Sequence, residues 1–147
     1  MKIKKYAKIL VIAIAICYIL AVIVSSMMIR QMTQITYNAT AFGTTIREDI
    51  IDFKGNTAQR NYYDFYGEPT KQKENQISMA KEFKIKTICA VSLFPLWREY
   101  YLNPFIMDGD QYSIIRSYGD EQRIIYGSNA YPFTYLLVLY AIDNAFE

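Results

Sequence analysis

Histidine is absent from the chain, and only two cysteines, Cys17 and Cys89, occur in its 147 residues. The missing imidazole excludes Ser-His-Asp and Cys-His catalysis, histidine-ligated zinc and imidazole acid–base chemistry. Carboxylate, lysine, tyrosine or bound-metal chemistry is what remains for an enzyme. Cys17 lies in a long apolar run and Cys89 in the stretch TICAVSLF, so no intrachain disulfide framework is expected. Cys89 reads as a small buried hydrophobe. The chain also lacks internal repeats of fixed period and low-complexity segments.

Negative and positive charge nearly balance, with 14 acidic and 16 basic side chains, but they are unevenly placed. Residues 1–30 hold five of the basic residues and none of the acidic ones, which leaves 11 basic against 14 acidic beyond them. A net charge near −3 on that remainder lacks the basic face of a nucleic-acid binder, so no nucleic-acid partner is expected. Nothing in the composition calls for a cofactor.

What the chain does have is an uncharged, proline-free run from Ile9 to Ile29, preceded by Lys2, Lys4, Lys5 and Lys8 and closed by Arg30. As a helix it would be about 31 Å long, enough for a hydrocarbon core of roughly 30 Å. The lysines favour a cytoplasmic N-terminus by the positive-inside bias. A cleaved signal has a shorter apolar core, although Val24-Ser25-Ser26 offers a weak cleavage site. A lipoprotein signal needs a small residue before its cysteine, and Cys17 follows Ile16. The expected organisation is therefore a basic segment at 1–8, a transmembrane helix at 9–29 in contact with membrane lipid, a connector at 30–34 and one extracytoplasmic domain at 35–147.

Within that domain, alternating apolar and β-branched residues predict strands at about 35–42 and 44–53, with Gly43 as a bend or bulge. Lys54-Gly55-Asn56 predicts a hairpin turn into a third strand that ends near Gly67. The polar stretch EPTKQKENQ reads as a loop. Residues 75–92 fit a helix better than a strand, although FKIKTI alternates, and Pro95 ends or kinks it. LWREYYLNPF reads as an aromatic connection. QYSIIRSY and QRIIYG form a second hairpin around Gly119-Asp120. Ser128 or Asn129 is placed to cap a last helix with Pro132 in its first turn. The predicted fold is α+β: an antiparallel sheet of about five strands in two hairpin units, covered by one or two helices.

Few fragments carry chemistry. Asp108-Gly109-Asp110 lacks the further oxygen ligands of a calcium loop and fits a turn entering a strand. In REDIID, strand alternation puts Glu48 and Asp52 on one face and Asp49 on the other. A solvated sheet face explains them more simply than glycosidase-type paired carboxylates. Asn38-Ala39-Thr40 matches a glycosylation sequon, yet nothing else points to a eukaryotic secretory protein. Of the 14 tyrosines, all but Tyr6 and Tyr18 lie beyond the apolar run. Tyrosine suits both a pleated sheet and a binding surface, because it offers large area with few rotors.

The stretch from Trp97 through DGDQYSIIRSY to YGSNAYP resembles a pattern in small membrane-anchored or lipoprotein-like extracytoplasmic proteins of Gram-positive bacteria. There a Trp/Tyr connector leads to a DG strand, a short hairpin and a turn of the GSNAYP kind into a terminal helix. AFGTTIREDIIDFKGN looks like the front half of the same domain. This chain departs by carrying Tyr112 where tryptophan is frequent and by lacking a lipobox. The resemblance implies fold and location and no assigned activity. The expectation is thus a non-catalytic, membrane-anchored binding module for a protein or peptide at the outer membrane surface. Its candidate binding residues are Trp97, Asp108, Asp110, Tyr126, Asn129 and Tyr131. Sequestration of a membrane-active peptide, as bacteriocin immunity proteins do, is the first rival. A carboxylate enzyme acting on wall or lipid substrates is the second.

Overall fold

A computed structural model describes residues 2–105 and 109–147. Its first element, α1 (Lys2–Arg30), is the helix that the apolar run demands, long and apolar enough between Tyr6 and Arg30 to cross a membrane. Four strands follow: β1 (Gln34–Ala41), β2 (Thr44–Asp52), β3 (Thr57–Tyr63) and β4 (Pro69–Gln76). Then come α2 (Met79–Val91), a 3-10 turn at Phe94–Leu96, β5 (Tyr100–Leu102), β6 (Gln111–Tyr118), β7 (Glu121–Ser128), α3 (Tyr135–Asp143) and a second 3-10 turn at Asn144–Phe146.

The strands form one sheet in the order β4-β3-β2-β1-β6-β7-β5, antiparallel throughout except that β5 runs parallel to β7. Among the described residues, seven strands replace the five or so read from the sequence, for two reasons. EPTKQKENQ, read as a loop, holds β4, an almost wholly exposed edge strand whose polar residues, Lys71, Lys73 and Glu74 among them, leave no period-2 pattern. LWREYYLNPF, read as a connection, holds β5, only three residues long. The β1–β2 hairpin, the β6–β7 hairpin and the helical state of 79–91 agree with expectation. The last helix starts later than expected. It begins after Thr134, and neither Ser128 nor Asn129 caps it, because both lie at the end of β7 or just beyond it.

One sheet face packs under the helices. Ile35 and Tyr37 on β1, Ile51 on β2, Tyr112 and Ile114 on β6 and Ile125 on β7 are buried there with Ile85 of α2 and Val138 and Ile142 of α3. The other face is polar: Asn38 donates to Ser113 Oγ, and Asn61 and Tyr63 both donate to Glu48.

The helix α2 runs antiparallel to both α1 and α3. The Tyr18 hydroxyl on α1 donates to the Val91 carbonyl at the end of α2 (2.8 Å), while Arg30 lies beside Met79 and Glu82 at its start. Thr134 at the head of α3 donates to the Ser92 carbonyl (2.6 Å), and Lys84 donates to Asn144 at the opposite end. Ser78 caps α2 by accepting from the Lys81 amide. The residues after α1 form a packed corner rather than a loose tether: Met32 is buried, and Thr33 accepts from the Phe53 amide and donates to the Ser117 carbonyl.

Asp49 is the buried acid of the sheet. Arg60 grips it with Nε and Nη2 (2.6 and 3.0 Å), Arg47 adds Nε (2.9 Å), and both arginines reach Asp143 at the end of α3. Burial opposes the charges on both arginines, but hydrogen bonds and the field of Asp49 and Asp143 outweigh it and raise both pKa values. This network ties the C-terminal segment to the sheet, with the Arg60 guanidinium 4.1 Å over the Phe146 ring.

Candidate functional site

The even-numbered residues of β6 face the helix layer, so Tyr112 points inwards opposite Gly127 on β7. Its ring lies over Gly127 so closely that any side chain there would collide with it. The Tyr112 hydroxyl then reaches the Ala130 carbonyl (3.3 Å). A second close pairing lies beside it: the Asn129 side chain fills the space that a Cβ on Gly109 would need, and the Asn129 amide donates to the Asp110 carbonyl (3.0 Å). Asn129 adopts φ 52, a left-handed conformation that asparagine tolerates. Gly109-Asp110 and the GSNAYP fragment are therefore two halves of one packed corner.

Above this corner lies a tyrosine cluster. Tyr131 stacks on Tyr112 (5.5 Å between ring centres, 12° between planes), and Tyr135 of α3 contacts both at 4.7 Å. Tyr37 and Tyr135 share a hydrogen bond between hydroxyls (3.2 Å). The four rings form the wall of a largely apolar pocket of about 600 Å³, with Ile46, Phe133 and Leu136 at its sides and Asp110, Gln111 and Thr40 as polar members. Burial raises the phenol pKa of Tyr37, Tyr112, Tyr131 and Tyr135, so all four stay protonated at neutral pH and none is an activated nucleophile. Burial likewise pushes the Cys89 thiol up to about 12. Among the described residues, no group of three or more cysteine, aspartate or glutamate side chains is placed to hold a metal ion.

The six residues singled out from the sequence fall in different places. Asp110 and Tyr131 line the pocket. Trp97 stands behind it, edge-on to Phe94 (5.1 Å) and tilted over Tyr135 (6.4 Å), with its indole N–H shared between the Ser92 carbonyl and Thr134 Oγ1. Asn129 holds the turn. Tyr126 lies on the opposite sheet face, stacked on Tyr100 (5.8 Å, 17°), beside a smaller hollow of about 360 Å³. Asp108 lies outside the described residues. Glu48 and Asp52 occupy the polar sheet face, across the sheet from the pocket that Asp110 lines. Tyr37, Tyr112 and Tyr135 were not singled out; their shared inward phase along β1, β6 and α3 was the available signal, and only the fold brings the three together.

Fold and pocket define an α+β domain carried by a long apolar helix, with an aromatic-walled pocket where the last helix meets the sheet. Neither protein-family models nor the curated proteins give a match to this chain.

Proposed function

We propose that the chain is a single-pass membrane-anchored binding module without catalytic activity, whose N-terminus is cytoplasmic and whose domain lies on the outer side. Four lysines ahead of the apolar run of α1 and Arg30 alone at its close support that orientation. The similarity to small extracytoplasmic proteins of Gram-positive bacteria points to the same location. The observation that carries the binding reading is the tyrosine-walled pocket, large and apolar with a few convergent polar groups. Neutral phenols offer area and hydrogen bonds at low entropic cost, which suits an apolar side chain or segment of a protein or peptide partner.

The test is photocrosslinking in native membranes, with a benzophenone residue in place of Ile46 at the pocket wall or of Lys54 at a distant turn. A discrete protein or peptide adduct from Ile46 alone, lost when Tyr131 and Leu136 are changed to alanine, is the expected result. Adducts that do not depend on position, or none from Ile46, would overturn the binding reading.

The second reading, sequestration of a membrane-active peptide, draws on the exposed Phe133 and Leu136 at the pocket wall. It predicts that the full-length chain protects a sensitive host and that the Tyr131/Leu136 double alanine variant does not.

A further inference from the structure

The ends of the sheet differ in character. Where β1 starts, the turns are residues 53–56 and Gly119-Asp120, and their one aromatic residue, Phe53, is buried. Where β1 ends, each connection exposes at least one: Phe42 between β1 and β2, Phe65 and Tyr66 between β3 and β4, Phe105 after β5, and Phe133 before α3. These side chains are between 63 and 105 % exposed. Phe42 is also held at φ 49 beside Gly43 at φ 81, a hairpin position that favours asparagine or glycine. A bulky aromatic there costs conformational energy and gains no packing within the domain.

The helices supply the orientation. Because α2 runs antiparallel to α1 and α3 antiparallel to α2, the end of α2 and the head of α3 lie together, at the depth of Tyr18 on α1. Both ends are uncharged, over residues 87–97 and 128–142. The domain packs on α1 through Ala21, Ser25 and Ile29 and meets it at Tyr18, so that among the described side chains α1 is exposed on all sides from Tyr6 to Cys17. Those residues span about 18 Å, less than the roughly 30 Å of hydrocarbon that a bilayer presents. The missing thickness begins at the depth of the uncharged ends of α2 and α3. Lys81, Lys84, Lys86 and Arg30 then stand at headgroup level.

We propose that the domain is folded back onto the bilayer that α1 crosses, with its aromatic-tipped edge and the uncharged ends of α2 and α3 seated in the outer leaflet. This rests on the anchored reading above. Aromatic side chains favour this interfacial depth, and the lipid supplies the apolar surroundings that the exposed rings lack. The tyrosine-walled pocket lies at the same edge, so its ligand reaches it from the lipid surface.

Trp97, the only tryptophan, stands at this end of the domain and is a built-in probe. The unaltered full-length chain is reconstituted into phosphatidylcholine–phosphatidylglycerol vesicles, with and without bromine on the acyl chains, and floated on a density gradient. The expected result is co-flotation with loss of Trp97 emission in the brominated vesicles. An environment-sensitive dye on Phe42→Cys or Tyr66→Cys, in a Cys17→Ser/Cys89→Ala background checked for folding by circular dichroism, shifts to the blue. The same dye on Lys54→Cys or Asp120→Cys keeps the emission it has in water. Co-flotation with unquenched Trp97 and no difference between the two ends overturns the seating and leaves the anchor intact. Failure to float overturns the anchor and the seating together.

Discussion

The ring of Tyr112 covers Gly127, its register partner on the neighbouring strand, and its hydroxyl continues to the Ala130 carbonyl. That contact joins the β6–β7 hairpin to the turn carrying Tyr131, and so sets the floor of the pocket. A Cβ at residue 127 has to displace the ring. Gly127→Ala should destabilise the domain by about 1–3 kcal/mol, the usual range for overpacking. Thermal unfolding in detergent measures it. Adding Tyr112→Leu should recover part of the loss, giving a non-additive pair.

Asp49 is fully buried and held by two arginines, whereas the side chain of Asp143 on the same arginines is 45 % exposed. Asp49→Asn strands buried guanidinium charge and should cost about 3–5 kcal/mol. Asp143→Asn, partly solvated, should cost about 1 kcal/mol or less. Urea unfolding midpoints compared side by side check the contrast, and equal losses would contradict the burial argument.

Alkaline pH should weaken the fold. The Cys89 thiol moves from an ordinary value of 9.0 to about 12 through burial. An acid whose pKa rises on folding keeps its proton longer when folded, so its contribution is full below pH 9.0 and is lost as pH climbs towards 12. The slope for one such group is about 1.4 kcal/mol per pH unit. Cys89→Ala should flatten the stability profile between pH 9 and 11, while the buried tyrosines keep part of the slope. A profile unchanged by the substitution would place the lability on the phenols alone.

Phe42 should reveal a conflict between stability and membrane contact. Phe42→Asn relieves the left-handed strain and should raise the unfolding temperature in detergent by a few degrees, equivalent to about 0.5–1 kcal/mol. The same change should weaken the seating of the sheet edge, read as faster proteolysis of the reconstituted protein at the β1–β2 turn. A drop in unfolding temperature would show that Phe42 packs within the domain.

Much of this architecture was legible in the residues. Alternation through ITYNATAF located β1, and the turn at Gly119-Asp120 between QYSIIRSY and QRIIYG located β6 and β7. Alternation in REDIID separated Asp49 from Glu48 and Asp52, as observed, but not its two arginine partners, which come from β2 itself and from β3. β4 escaped because an exposed edge strand has no buried face to leave a pattern, and β5 because three residues are too few to show a period.

The sequence by itself determined a long apolar helix with a basic flank, an α+β domain and the absence of histidine chemistry, since length, charge and composition act locally. Which tyrosines meet, which end of the sheet gathers the exposed aromatics and how far the domain reaches down α1 were decided only by tertiary structure. Those outcomes depend on chain reversal and helix direction, which bring together residues as distant as Tyr37 and Tyr135, or Tyr18 and Val91. Local periodicity carries no information about such separations.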